Sequence, residues 1–215
     1  MKNKKICICL SGIDGAGKTL ITNQLIENLS KSTKVKRVWS RYKNYFSKPF
    51  LLLMRITGHN YKVKINEVKI GYHDFYKNRF ISIIFLILQW IDLFIEILFK
   101  FRIGVKSIVS DRSLVDTLVD LVVDTNFEKF IFGFYAKSLF YIMPKNTTYL
   151  IIERNIELIK KTRPDVFYDK NALKRIELYK KISNLFSIKI VKNDSDISLT
   201  VNNILSDIGI NEKNS

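Results

Sequence analysis

The sequence predicts an α/β fold of three layers: a five-stranded parallel sheet with helices on both faces and a short lid. Three observations predict it. Short apolar runs recur at residues 5–10, 35–40, 106–110, 147–153 and 187–192, and the segments between them repeat apolar residues at helical spacing. A glycine-rich stretch follows the first run directly. Strands separated by helices imply right-handed crossovers and a parallel sheet, with ligands at the carboxyl ends of the strands. The 215 residues contain no Pro/Gly/Ser-rich linker and no internal repeat, so a single domain is expected over 1–209, with a disordered tail at 210–215.

The first run, "ICICL", carries both cysteines. Cys7 and Cys9, taken as one per face of the strand, suit small core side chains better than a disulfide or metal pair, which fits a reducing cytoplasm. The N-terminal charges lead straight into this strand rather than into an apolar stretch with a cleavage site, so no secretory signal is expected.

Next comes "SGIDGAGKT", residues 11–19. Gly12, four residues, then Gly17-Lys18-Thr19 is the spacing of a loop whose backbone N–H groups cradle phosphate. The expected cradle is Gly12, Ile13, Asp14, Gly15, Ala16, Gly17, Lys18, Thr19 and Leu20, and the expected ligands are ATP and Mg²⁺. Lys18 reaches the outer phosphates and is expected to be exposed, while the Thr19 hydroxyl can ligate the metal. The helix that follows, marked by Leu20-Ile21, Leu25-Ile26 and Leu29, aims its N-terminus at the same point.

Between Lys31 and Lys48 there are seven basic residues and no acidic one, in a chain whose formal net charge is +16. Nucleotide phosphates, nucleic acid, anionic lipid or plain solvent each answer to such a surface. The segment 80–101, "FISIIFLILQWIDLFIEILFKF", is apolar enough to suggest a membrane span, but Gln89, Asp92, Glu96 and Lys100 form one polar stripe. Carboxylates cost about 2.5 to 3.5 kcal/mol each at a bilayer centre. The expectation is a core helix with one polar face, with a membrane-surface helix or a span as the alternatives.

At the third strand, "SIVSDRS" places Asp111 and Arg112 at a carboxyl end, where phosphate-loop proteins keep an acid near Mg²⁺. Proteins that hydrolyse ATP commonly carry a glutamate after that acid to activate water. Here the residue is Arg112, a fork suited to gripping a second phosphate. The guanine-reading Asn-Lys-x-Asp and the Leu-Ser-Gly-Gly-Gln of transporter ATPases are both missing. The chemistry that remains is transfer of a phosphoryl group from ATP to an acceptor that already carries phosphate.

Three stretches, "SGIDGAGKT", the long helix running into "GVKSIVSDRS", and "TTYLIIERNIELIKKTRPD", resemble the thymidylate kinase family of nucleoside monophosphate kinases. The resemblance implies that Gly15, Gly17, Lys18 and Thr19 hold the ATP phosphates and that Asp14 faces the acceptor's sugar or the metal. It also implies that Asp111 positions Mg²⁺ or the acceptor, and Arg112 the acceptor's phosphate. Members lacking an arginine in the loop supply a cation from the lid, at about 160–170, which makes Arg163, beside Lys160 and Lys161, the implied clamp on the transferring group.

The sequence also departs from the family. Leu10-Ser11 replaces the usual Phe-Glu and Leu20 a threonine, and "LILQWIDLF" lacks the arginine that meets thymidylate. "LVDTLVDLVVD" stands where the base is read; its Asp116, Asp120 and Asp124 form either a solvent face or an altered acceptor pocket. The Arg-Glu-Pro-Gly-Gly run is absent, though Arg41, Lys43, Lys48 and Arg55 are available there, Arg41 and Arg55 being the candidate substrate contacts. His59 and His73 have no metal-ligand spacing and receive no role. The expected partner is a small phosphorylated acceptor rather than nucleic acid, with peripheral membrane contact and a homodimer left open. The competing readings are a kinase for a different, lipid- or sugar-linked phosphate acceptor and a non-catalytic ATP-binding module with a basic docking face; Lys18, Thr19 and Asp111 favour an enzyme.

Overall fold

In chain order the elements are β1 (Cys7–Ser11), α1 (Lys18–Ser30), β2 (Val35–Trp39), α2 (Ser47–Ile56), β3 (Asn60–Ile65), β4 (Val68–His73), α3 (Arg79–Ile97) and β5 (Ser107–Asp111). There follow α4 (Leu114–Thr125), α5 (Ala136–Ile142), β6 (Thr147–Glu153), α6 (Ile156–Thr162), α7 (Ala172–Phe186), β7 (Lys189–Lys192) and α8 (Ile197–Asp207). The computed structural model describes residues 5–40, 44–65, 68–104, 107–163, 166, 168–194 and 196–209. Arg41, Lys43, part of the expected lid and the expected tail 210–215 lie outside the described residues.

The expected five strands form one parallel sheet in the order β2-β5-β1-β6-β7. Strand β1 is central, so the loop leaving it emerges between crossovers that run in opposite directions, the usual ligand crevice of such sheets. Register carries Asp111 there too, since it pairs with Leu10 on one side and Trp39 on the other. The sheet separates two cores. Ile8 and Leu10 pack with Ile21, Leu25 and Ile204, and Cys7 and Cys9 pack with Phe85, Leu118 and Leu139. Both cysteines therefore lie on the same face, not one on each, because residues two apart in a strand project the same way. Both are buried and free.

Helix α3 turns its polar stripe inward. Ser82, Gln89, Asp92 and Glu96 are buried, whereas Phe80, Ile83 and Ile87 are exposed. Over residues 79–102 this segment is long and apolar enough to cross a membrane, with mean hydropathy 2.2 in an 18-residue window. The inward stripe is instead occupied with binding. The Asp92 carboxylate accepts from the backbone N–H groups of Tyr45, Phe46 and Ser47 at 3.1, 2.8 and 3.1 Å and from the Ser47 hydroxyl at 2.6 Å. It thereby satisfies the amides that lead into α2, a helix with no side-chain cap of its own. Gln89 donates to Asn44 and Ser47, both at 2.8 Å, and Lys100 pairs with Glu96 and reaches the carbonyl of Trp39.

Helix α4 corrects the idea of a solvent face. All twelve residues are buried, including Asp116, Asp120 and Asp124. An antiparallel hairpin of β3 and β4, absent from the sequence expectation, precedes α3, with Lys64 opposite Lys69 and Lys62 opposite Gly71.

Candidate functional site

The loop between β1 and α1 is shaped by close contacts that exclude side chains. Gly12 has φ +136°, and a Cβ there would sit 2.3 Å from the carbonyl oxygen of Ile152; Gly17 has φ +93°, and its Cβ would meet Asn193 Nδ2 at 2.3 Å. The same Asn193 amide donates to the carbonyl of Ala16 at 2.8 Å. The loop is therefore seated against β6 and against the turn that follows β7.

Lys18 is not exposed. Its side chain folds under the loop, donating to the carbonyls of Gly12 at 2.6 Å and Ile13 at 2.8 Å, and is 5% accessible. Carbonyls that converge on one point attract the ammonium, and Asp14 lies 4.0 Å away. Burial lowers the Lys18 pKa below the ordinary lysine value, while the charge of Asp116 opposes the change. The ammonium is thus held inside the loop, against its own carbonyls.

On the α1 side, the Thr19 hydroxyl donates to Asp111 Oδ2 at 2.7 Å. Hydroxyl and carboxylate oxygens are the hard donors that Mg²⁺ takes, and with few protein ligands it keeps waters and phosphate oxygens. This pair therefore fits the metal. Arg37 shares it, placing Nη2 3.0 Å from the same Oδ2 and Nη1 2.8 Å from Asn23. The sequence reading counted Arg37 only as part of a basic run; its position on the strand that pairs with the Asp111 strand was the available signal.

On the opposite side, Arg112 bonds Asp14 and stands 4.0 Å from Asp116. Its φ of +79° is rare for a side-chain-bearing residue, costs of order 1–3 kcal/mol, and is held by the Ser110 hydroxyl donating to the Arg112 carbonyl at 2.6 Å. Asp116 forms a capping box with Ser113 at the start of α4. It also accepts from the Gly12 N–H at 3.1 Å and the Tyr179 hydroxyl at 2.8 Å, joining the loop to α4 and α7.

Beside Arg112 lies a polar cavity of about 210 Å³ to which Asp14, Lys69, Arg112, Asp120, Asp169 and Arg175 contribute. Arg175 pairs with Asp120 at 2.9 Å and with Asp169. Further along α4, Asp124 accepts from His73 Nδ1 at 2.8 Å. Burial is the largest effect on His73 and lowers its pKa. The hydrogen bond to Asp124 and that residue's charge outweigh it, and the net direction is upward. His73 thus has a role that its lack of metal-ligand spacing did not suggest, whereas the His59 ring bonds Thr57, two residues away.

The structure brings together the loop residues, Lys18, Thr19, Asp111, Asp14 and Arg112. Arg163 also lies against the loop, its Cγ 3.1 Å from where a Cβ on Gly15 would sit. Lys160 pairs with Glu157 at 3.1 Å and Lys161 is exposed. Leu20 is 55% accessible at the start of α1. Arg55 points outward from α2 and does not line the cavity; Arg41 is outside the described residues. A cation the sequence reading missed is Arg154, whose Nη1 is 3.4 Å from the Gly15 carbonyl and whose buried Nε has no hydrogen-bond partner among the described residues. Its place just past β6, at the carboxyl edge of the sheet, was the signal.

No family model and no curated protein matches this chain. Among solved structures it is similar to a thymidylate kinase from Ehrlichia chaffeensis, with 13% identity and a TM-score of 0.53 over 95% of this chain and 98% of that one. At that identity the likeness shows the fold: a three-layer α/β domain with a five-stranded parallel sheet.

Proposed function

We propose that this protein transfers the terminal phosphoryl group of ATP to an acceptor that already carries a phosphate, a nucleoside monophosphate with thymidylate the first to test. One observation carries the reading. The buried Lys18 ammonium lies between two separate constellations, Thr19–Asp111 on one side and Asp14–Arg112 on the other. That is what a donor site and an acceptor site sharing one phosphoryl position require.

Thr19 and Asp111 would hold Mg²⁺, which would supply neutralisation of phosphate charge there. Lys18 holds the terminal phosphoryl group in the cradle, and Arg112 orients the acceptor phosphate in line with it. The bond from phosphorus to the ADP oxygen breaks as one to the acceptor oxygen forms. A phosphate monoester has its second pKa near 6, so that oxygen is largely ionised at neutral pH and needs no general base. Arg163 and Arg154, both beside Gly15, are placed to offset charge on the moving group.

The cavity favours a second reading of the acceptor. Its volume of about 210 Å³ falls short of the roughly 300 Å³ typical of small-molecule pockets. Among the described residues its lining holds no aromatic ring but Tyr179, whose hydroxyl is engaged by Asp116. A compact polyhydroxylated phosphate fits such walls better than a stacked base.

ADP release, measured with nucleoside monophosphates, sugar phosphates and lipid phosphates, tests both readings. Turnover with one acceptor and acceptor-free hydrolysis at least about a hundredfold slower is expected, because Arg112 stands where a water-activating glutamate would be. Lys18→Ala should lower transfer by about a hundred- to a thousandfold. Equal turnover by mutant and wild type overturns the proposal, and ATP binding without turnover on any acceptor assigns a binding module.

A further inference from the structure

Helix α2 presents an apolar surface outward. Phe50, Leu51 and Met54 pack into the core, whereas Leu52, Leu53 and Ile56 are 61, 53 and 78% accessible, and Tyr45 and Phe46 just before the helix are about half exposed. Lys48 and Arg55 are exposed as well. At the helical turn of about 100° per residue, Lys48, Leu52, Arg55 and Ile56 fall on one side, with Leu53 adjoining. The surface is firmly mounted, because Asp92 binds three amides at its base.

Lys48 and Arg55 on this face, within a basic stretch of the sequence, point to an anionic partner. From Glu27 to Glu67 the chain carries ten lysines and arginines and no acidic residue between those two glutamates. We propose that α2 docks the protein on an anionic bilayer, with Leu52, Leu53 and Ile56 entering the headgroup boundary and Lys48 and Arg55 meeting lipid phosphates. A second copy would bring together two chains that each carry +16 and offers no anionic groups to Lys48 and Arg55 on this helix. Nucleic acid answers the cations but leaves three large aliphatic side chains in water.

The placement links docking to the cleft. Helix α2 connects β2, which ends in register with Asp111, to the hairpin that supplies Lys69 to the polar cavity. Docking tethers the acceptor side of the site to the membrane surface. The inference does not depend on the proposed reaction.

Co-sedimentation of the full chain with phosphatidylcholine vesicles, with and without phosphatidylglycerol, tests it. Binding is expected only where phosphatidylglycerol is present. Lys48→Gln with Arg55→Gln should weaken it about 25-fold, at roughly fivefold per charge near the surface. Leu52→Gln with Ile56→Gln should weaken it at least about tenfold. Both double variants should keep the wild-type melting curve and bind a fluorescent ATP analogue normally. No binding by wild type overturns the proposal. So does full binding by the Leu52/Ile56 variant, which would show simple adsorption of a basic protein. A wild-type dimer that either double variant dissolves, seen by analytical ultracentrifugation, would give the face to a second copy instead.

Discussion

The Lys18 side chain is held by sequence neighbours, its bonds to Ile13 and Gly12 spanning only five and six residues. The facing wall is made from distant partners. His73 and Asp124 are 51 residues apart, Asp120 and Arg175 are 55, Asp116 and Tyr179 are 63, and Asp14 and Arg112 are 98. The Lys18 ammonium needs only carbonyls of its own loop, although that loop is itself seated by Asn193 and Asp116, 177 and 104 residues away. Buried carboxylates on α4 are tolerable only once partners from a hairpin, a turn and another helix have arrived. The Lys18 contacts are therefore local to one loop, whereas the carboxylates of α4 are tied to the stability of the whole domain.

Asp116 is where the loop and that wall meet, so its replacement is the strongest way to break the distinction. Asp116→Ala removes acceptors from Gly12 N–H, Ser113 N–H and the Tyr179 hydroxyl at once. A loss of about 3 kcal/mol in urea unfolding is expected, together with weaker ATP binding. A loss below about 1 kcal/mol would show that loop and wall stand independently.

Arg112→Ala sharpens the comparison from the acceptor side. Removing a charge-assisted fork is worth on the order of 2–3 kcal/mol, so acceptor affinity should fall roughly 30- to 150-fold while ATP affinity changes far less. Lysine would rescue poorly, since an ammonium cannot reproduce two parallel donors. Because Arg112 pairs with Asp14 and neighbours Asp116, a purely structural role predicts the opposite: lower stability with both ligands bound as before. Separate titrations of the two ligands into folded variant decide between them.

The smallest effect belongs to His73. Its folded pKa is raised above the ordinary 6.5, chiefly because the Asp124 bond and charge outweigh burial. A raised value contributes stability that is fully present below 6.5 and is lost as pH climbs through the folded value. About 1 kcal/mol should therefore disappear from wild type over that rise, and His73→Gln should flatten the profile. An unchanged profile in the variant would remove the hairpin from the set of stability-bearing contacts.

The five strands, the glycine loop, and Asp111 and Arg112 at a strand end were legible because each is encoded within a few residues, by backbone preference and a two- or three-to-four-residue rhythm. The hairpin was legible in principle: Tyr61, Val63 and Ile65 alternate with Lys62 and Lys64, a two-residue period that went unread between stronger signals. The side of the strand that Cys7 and Cys9 share follows from that same period and was misassigned.

Other features had no local signature. The sequence by itself determined that α3 has a polar stripe and α4 three aspartates at four-residue spacing; only the tertiary structure decided that both face inward. Those faces turn in because Asp92 meets the amides of α2, and Asp116, Asp120 and Asp124 meet Gly12, Arg175 and His73. Lys18 is buried for the same kind of reason, since two carbonyls converge on its ammonium. The residue pattern specifies where charge lies along an element. Whether that charge faces water depends on a partner delivered from elsewhere in the chain, because desolvation is offset only by a bond whose geometry the whole fold sets.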